Sequence, residues 1–140
     1  MPLPYHPEIG TIAICDFYGF IEPEMVKRRP VIVVSPRFRN RDRLCTIVPC
    51  STVEPVKKMD YHYRLELEIP LPKPYNSPFQ WIKGDMVTTV SLDRLSLPFR
   101  GKDNNGNRIY DKRIVGDLDL KKIQTCILNA LSFKHLTNHL

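Results

Sequence analysis

The apolar positions of this chain fall into short runs broken by proline, glycine and charge. Residues 10–17 alternate well enough for a first strand, and Val31-Ile32-Val33-Val34-Ser35 is short and β-branched, as in a strand covered on both faces. Residues 44–48 form the next run. Residues 61–69 alternate cleanly, with Tyr61, Tyr63, Leu65, Leu67 and Ile69 on one face and His62, Arg64, Glu66 and Glu68 on the other. Apolar patterning returns at 79–82 and 86–91, on either side of a Lys83-Gly84-Asp85 turn. These runs predict at least six short strands, with His62 on a solvent face and Trp81 in the core.

The pattern changes after residue 100. Residues 101–107 carry the strongest turn signal in the chain, and Asn105-Gly106 suits a type I′ hairpin tip with 108–110 as the returning strand. Leu120, Ile123, Ile127, Leu128 and Leu131 then recur at helical spacing, which predicts a helix capped by Asp117 or Asp119 and running to about His135. Short strands plus one terminal helix argue for a small, strongly twisted sheet or barrel with the helix packed on it. The whole of 1–140 reads as a single domain, with its core about 10–95, a hairpin insertion about 99–113 and the helix about 119–135.

Composition narrows the partners. The formal charge is +6, a moderate excess that suits a nucleic acid without requiring one. The thirteen prolines lie mostly between the apolar runs, where they stiffen loops. The four cysteines form no Cys-x-x-Cys pair and have no histidine at zinc spacing, so buried reduced thiols are expected, with no metal and no cofactor. The first residues lack a basic and an apolar region of the signal-peptide kind, and no apolar run nears the ~20 residues that span a bilayer. The expectation is a cytoplasmic protein with no membrane partner.

Candidate chemistry centres on Glu22-Pro23-Glu24-Met25-Val26-Lys27-Arg28-Arg29-Pro30. Pro30 fixes its own backbone and pushes Arg29 towards an extended conformation at a strand's mouth. A guanidinium at Arg29 and a carboxylate at Glu24 on one loop suit a phosphate and a proton to be moved. Ser51 and Thr52 can face the same spot if the two neighbouring strands pair, or simply hold a turn. The turn 36–43 holds four arginines, with Arg37 and Arg39 flanking Phe38. It reads equally as a phosphate-tracking patch with a stacking ring or as a solvated loop. Tyr18 or Phe20 can stack a splayed base or pack in the loop's own small core.

In order, the chain presents Gly10, a strand ending Asp16-Phe17, Glu24-x4-Arg29-Pro30, Val31–Ser35, Val48-Pro49-Cys50-Ser51-Thr52 and Asp85-Met86-Val87. This succession resembles the MazF/PemK family of toxins from bacterial toxin–antitoxin pairs, over residue 10 to about 95. The resemblance implies an SH3-like barrel with a C-terminal helix, a homodimer, and a metal-independent endoribonuclease that cuts single-stranded RNA such as mRNA at short sequences. It also implies a cognate antitoxin as partner. The family's functional arginine falls on Arg29, its loop glutamate on Glu24 and its active-site threonine on Ser51. Serine keeps the hydroxyl and loses the methyl that stiffens the threonine rotamer. The loops around 57–60, 70–78 and 101–113 look longer or different, so cleavage specificity does not carry over.

The chemistry so implied is attack of a ribose 2′-OH on the adjacent phosphorus, giving a 2′,3′-cyclic phosphate and a 5′-OH. Arg29 would hold the phosphorane oxygens and can donate a proton late. Ser51, or Thr52, would hydrogen-bond a phosphate oxygen. Glu24 would act as a base if burial raised its pKa, or else order the loop by pairing with Arg28 or Arg29. Lys27, Arg28 and the 37–43 cluster would bind backbone phosphates. Two rivals stand beside this reading: a DNA-gyrase poison on the same fold, disfavoured by the closing Thr137-Asn138-His139-Leu140, and a non-catalytic RNA- or antitoxin-binding barrel.

Overall fold

A computed structural model describes residues 1–140. Its first three strands are β1 (Ile12–Cys15), β2 (Arg29–Val33) and β3 (Leu44–Ser51), joined as antiparallel neighbours. β2 starts two residues before the apolar run, because Pro30 fits the extended backbone and sits opposite Ile14 of β1. β3 continues past the apolar run at Val48 through Pro49 and Cys50 to Ser51.

β3 serves two sheets. β4 (His62–Glu66) and β5 (Phe79–Lys83) form a hairpin that joins the end of β3, at Cys50 and Ser51. β6 (Thr88–Ser91) pairs with its start, from Leu44 to Ile47. Pro49, which cannot donate, falls between these two ladders. β7 (Leu95–Ser96) pairs with β1. The order β7-β1-β2-β3-β6 therefore curls on itself, and the 3-10 turn Leu92–Arg94 carries β6 into β7. The seam is spanned by covalent chain, not by a ladder. This is the small, strongly twisted sheet that the sequence predicts, left unclosed at one seam, in the SH3-like form that the resemblance implies.

Strand alternation divides the core in two. Ala13, Cys15, Val31, Val33, Cys45 and Ile47 point into the barrel, where Phe17, Val90, Leu92 and Leu95 complete one cluster. Ile12, Ile32, Val48 and Cys50 point the other way, onto Leu65, Leu71, Ile82 and the helix residue Ile123. Trp81 is buried, as expected, and His62 is half-buried on the other face of β4 from the core residue Leu65. On the inner face of β4 the alternation holds for Tyr63, Leu65 and Leu67, whereas Ile69 lies beyond the strand and is exposed.

The helix α1 spans Asp117–Ala130, with Gly116 at its N-cap and no side-chain cap, so neither Asp117 nor Asp119 caps it. Asp119 instead accepts a 2.6 Å hydrogen bond from the Tyr63 hydroxyl, which ties α1 to β4. Burial and that carboxylate push the Tyr63 phenol up to about 12. The helix stops five residues short of His135. Ser132 takes a left-handed φ of 64°, the Phe133 N–H bonds the Leu128 carbonyl and the Ser132 N–H bonds that of Asn129. This is a Schellman stop without glycine. Leu131 is therefore exposed, and residues 134–139 form a 3-10 turn.

β8 (Phe99–Lys102) and β9 (Arg108–Tyr110) make the predicted hairpin. Its tip is not type I′, since Gly106 has a φ of 80° and Asn105 has no positive φ. The Gly106 N–H bonds the Asp103 carbonyl and Asp103 Oδ1 accepts the Asn105 and Asn107 amides, as in a type I turn followed by a left-handed glycine.

Candidate active site

The register of the sheet assembles the site. Val31 lies opposite Pro49 and Val33 opposite Ile47, so continuing the β2–β3 register brings Arg29 opposite Ser51. Both side chains share the barrel's inner face, at the end where β3 leaves β6 for β5. Ser51 is buried and Arg29 is largely covered. The Arg29 Nε is buried with no hydrogen-bond partner in the chain. A guanidinium with an unanswered N–H, fixed by a strand and a proline, is a ready donor to an anion.

The Ser51 Oγ accepts the Val53 N–H at 3.1 Å, which leaves its own proton free to donate outward. Thr52 follows the strand end and is exposed. Tyr75, from the proline-rich loop, bonds the Arg28 carbonyl at 3.5 Å and backs this corner. Burial raises its phenol pKa, while the Arg28 and Arg29 charges pull it down.

The loop from Asp16 to Arg28 forms the other wall. Glu24, Lys27 and Arg29 line a hollow of about 530 Å³. Glu24 also borders a neighbouring hollow of about 490 Å³ with Phe20, Met25, Pro49 and Thr88. Glu24 is exposed, and its Oε1 accepts the Ile21 N–H at 2.7 Å. It orders the loop through that backbone bond and pairs with neither arginine. Arg28 turns away to Asp16 at 3.1 Å.

The aromatic candidates separate. Phe20 stacks edge-on against Phe17 at 5.2 Å and packs on the barrel core, while Tyr18 stays 82% exposed. The arginine turn separates as well. Arg37, Phe38 and Arg39 are all exposed, but they lie beyond the far end of β2, more than about 13 Å along the strand from Arg29. Arg37 approaches Asp42 at 4.0 Å and Arg43 is held by Asp93 at 2.6 Å, so part of the turn's charge is met locally.

Sequence patterning does not reveal Arg94. Its guanidinium donates to the Asp16 and Tyr18 carbonyls and lies 5.0 Å from the Phe20 ring centroid. The only local signal was an arginine after a strand, which gives no hint that it reaches back to the first loop.

The sequence and the fold both have known relatives. The sequence profile of the PemK-like, MazF-like toxins of type II toxin–antitoxin systems matches residues 8–126. An uncharacterized protein of Haemophilus influenzae is 28% identical, the alignment covering 94% of each chain. The putative protein YifN of Escherichia coli is 25% identical, over 94% of this chain and 98% of its own. Among solved structures, an endoribonuclease in complex with its cognate antitoxin from a mycobacterial species superposes with a TM-score of 0.59 at 20% identity, covering 90% of this chain and 95% of that one. MazF from Deinococcus radiodurans gives 0.58 at 16% identity, over 91% and 98%. At those identities the likeness is one of fold; family membership rests on the profile match over most of the chain. The chain belongs to the PemK-like, MazF-like toxin family of type II toxin–antitoxin systems.

Proposed function

We propose that this toxin is an endoribonuclease that cuts single-stranded RNA at short sequences by attack of the 2′-OH on the adjacent phosphorus. The observation that carries the reading is the unpartnered, buried Arg29 Nε on the same inner face as Ser51, beside a hollow that Glu24 and Lys27 share. A phosphodiester seated there meets a fixed positive charge and a hydroxyl donor. Its nucleophile belongs to the substrate and is already adjacent, so the protein supplies charge stabilisation and proton transfer.

In the reaction, Arg29 holds the non-bridging oxygens as charge builds on the phosphorane, and Ser51 donates to one of them. Glu24 lacks the burial that would strengthen it as a base; its second carboxylate oxygen takes the 2′ proton only as a weak base and passes it to solvent, as the 2′-oxygen bonds to phosphorus. The bond from phosphorus to the 5′-oxygen breaks, and that oxygen takes a proton from solvent. The products are a 2′,3′-cyclic phosphate and a 5′-OH, and the chemistry runs without a metal. Lys27 meets a neighbouring phosphate, and Tyr18 offers an exposed ring to a splayed base. The protein acts in the cytoplasm as a homodimer, and a cognate antitoxin neutralises it.

The test is cleavage of a long single-stranded RNA in EDTA by the wild type and by Arg29→Ala. Discrete fragments with 5′-OH ends from the wild type, and a loss of at least 100-fold in the folded variant, are expected, on the order of the loss when one transition-state donor is removed. Intact RNA across many sequences would overturn the reading and leave a gyrase supercoiling assay and RNA binding as the next measurements.

A further inference from the structure

The row that begins at Arg29 and Ser51 does not end there. Ser51 lies opposite Trp81 on β5, and Trp81 lies opposite Arg64 on β4. Directly opposed residues share a face, so Ser51, Trp81 and Arg64 stand side by side across three strands. At about 4.8 Å per strand, Arg64 is roughly 10 Å from Ser51, close to the span of one or two nucleotides from a phosphate held there.

Arg64 is set for stacking. Its guanidinium carbon lies over the Phe79 ring, 4.6 Å from the centroid. The side chain is 50% exposed and so open to a ligand. Glu66 meets its charge at 3.3 Å. The pair therefore offers a ligand a flat, π-stacking surface with fixed hydrogen-bond donors, and little net charge for a second phosphate. Trp81, in the middle of the row, is buried.

Resting on the endoribonuclease reading, we infer that Arg64, backed by Phe79, is a nucleobase subsite that receives a base flanking the scissile phosphate of single-stranded RNA. The guanidinium is sandwiched between the Phe79 ring and the base, and its edge reads that base's acceptors. The β4–β5 hairpin is then a specificity-determining surface, in series with the Arg29–Ser51 centre.

Two measurements separate the subsite from the reaction. The first is fluorescence-anisotropy binding of 2′-O-methyl 20-mers of U, A and C, which cannot be cut, to the wild type, Arg64→Ala and Arg64→Lys. Arg64 is exposed, and circular dichroism checks that the variants keep the fold. The expected result is binding weakened about tenfold by alanine, with the loss unequal among the three bases. Lysine, which keeps the charge and lacks the plane, should not restore it. The second is fragment-end sequencing after cleavage in EDTA, with Arg29→Ala as the blank. Arg64→Ala should raise KM more than it lowers kcat and relax the preference at one position beside the cut. Unchanged binding of all three oligonucleotides overturns the subsite, whether or not the wild type cuts RNA. So does full restoration by lysine, or unchanged RNA binding with a shift from dimer to monomer in sedimentation. Intact RNA with weakened binding would instead refute the catalytic reading and leave the subsite standing.

Discussion

Arg94 and Tyr18 are joined by a 2.7 Å hydrogen bond from the guanidinium to the Tyr18 carbonyl, and the same nitrogen reaches the Asp16 carbonyl at 2.9 Å. The barrel's closing turn thus pins the base of the loop that carries Glu24. Replacing Arg94 with alanine removes both bonds and the contact with Phe20. The expected cost is about 1.5–3 kcal/mol in urea unfolding. Hydrogen exchange should show where it falls. The Phe20 and Glu24 amides, bonded within the loop, should lose protection, while Val33 of the barrel keeps its own. Uniform loss across the sheet would mean that Arg94 supports the barrel as a whole.

Gly84 leaves no room for a side chain. A Cβ there would come within 2.8 Å of the Cys126 carbonyl carbon and Cβ, on the helix. Gly84→Ala must push α1 outward or bend the turn, at about 1–3 kcal/mol. A thermal melt should show a lowered Tm with the helical signal retained before the transition. An unchanged Tm would show that α1 shifts freely.

Asp111 is the one buried carboxylate, and it accepts from both Arg100 and Arg113. The same arginines bond the Pro70 carbonyl, so the cluster clips the β8–β9 hairpin to the proline-rich loop. Burial alone would raise this carboxyl's pKa. The hydrogen bonds and charges of Arg113 and then Arg100 outweigh it and hold the pKa below the ordinary value. A depressed folded pKa stabilises the fold above the unfolded carboxyl's pKa of about 4 and withdraws that stability as pH falls through the folded value. Asp111→Asn should therefore be less stable than wild type at pH 7, and the gap should narrow as the pH falls below about 4. Parallel stability curves over that range would refute the assignment.

All four cysteines are free and buried. Burial pushes the thiols of Cys15, Cys45 and Cys126 up to about 12, 11 and 11, and raises Cys50 further still. At pH 8 they remain neutral and shielded. A thiol-titrating disulfide should find almost none in the native protein and four after denaturation, at a rate set by unfolding. Fast reaction of one thiol in the native state would locate a local opening.

The strands and the buried faces were legible because their information is local: β-branched runs, alternation at 61–69, a helical stripe after 117. What stayed hidden depends on neighbours far away in sequence. β3 reaches Ser51 because β5 arrives to pair with Cys50 and Ser51, and nothing near Pro49 announces that. The helix ends at Ser132 through a left-handed serine, where sequence favours glycine or asparagine. Glu24 and Arg29 were legible as one corner, since five residues and a proline link them. The arginine turn looked like part of the same surface, but the length of β2 puts it at the opposite end of the hairpin. Arg64 showed only as a polar position on an alternating strand, and its place in line with Ser51 exists only once register is known.

The barrel's seam also sets an order of events. Ile14 of β1 finds its outer partner only at Ser96, on the strand that follows the Leu92–Arg94 turn. Until nearly the whole barrel sequence has emerged from the ribosome, β1 carries an open hydrogen-bonding edge, and the Arg94 pin on the loop that carries Glu24 does not exist. Contacts so distant in sequence form late. A nascent chain thus completes the Arg29–Ser51 pair of strands well before it fixes the wall that faces them, and the candidate site is assembled only near the end of synthesis.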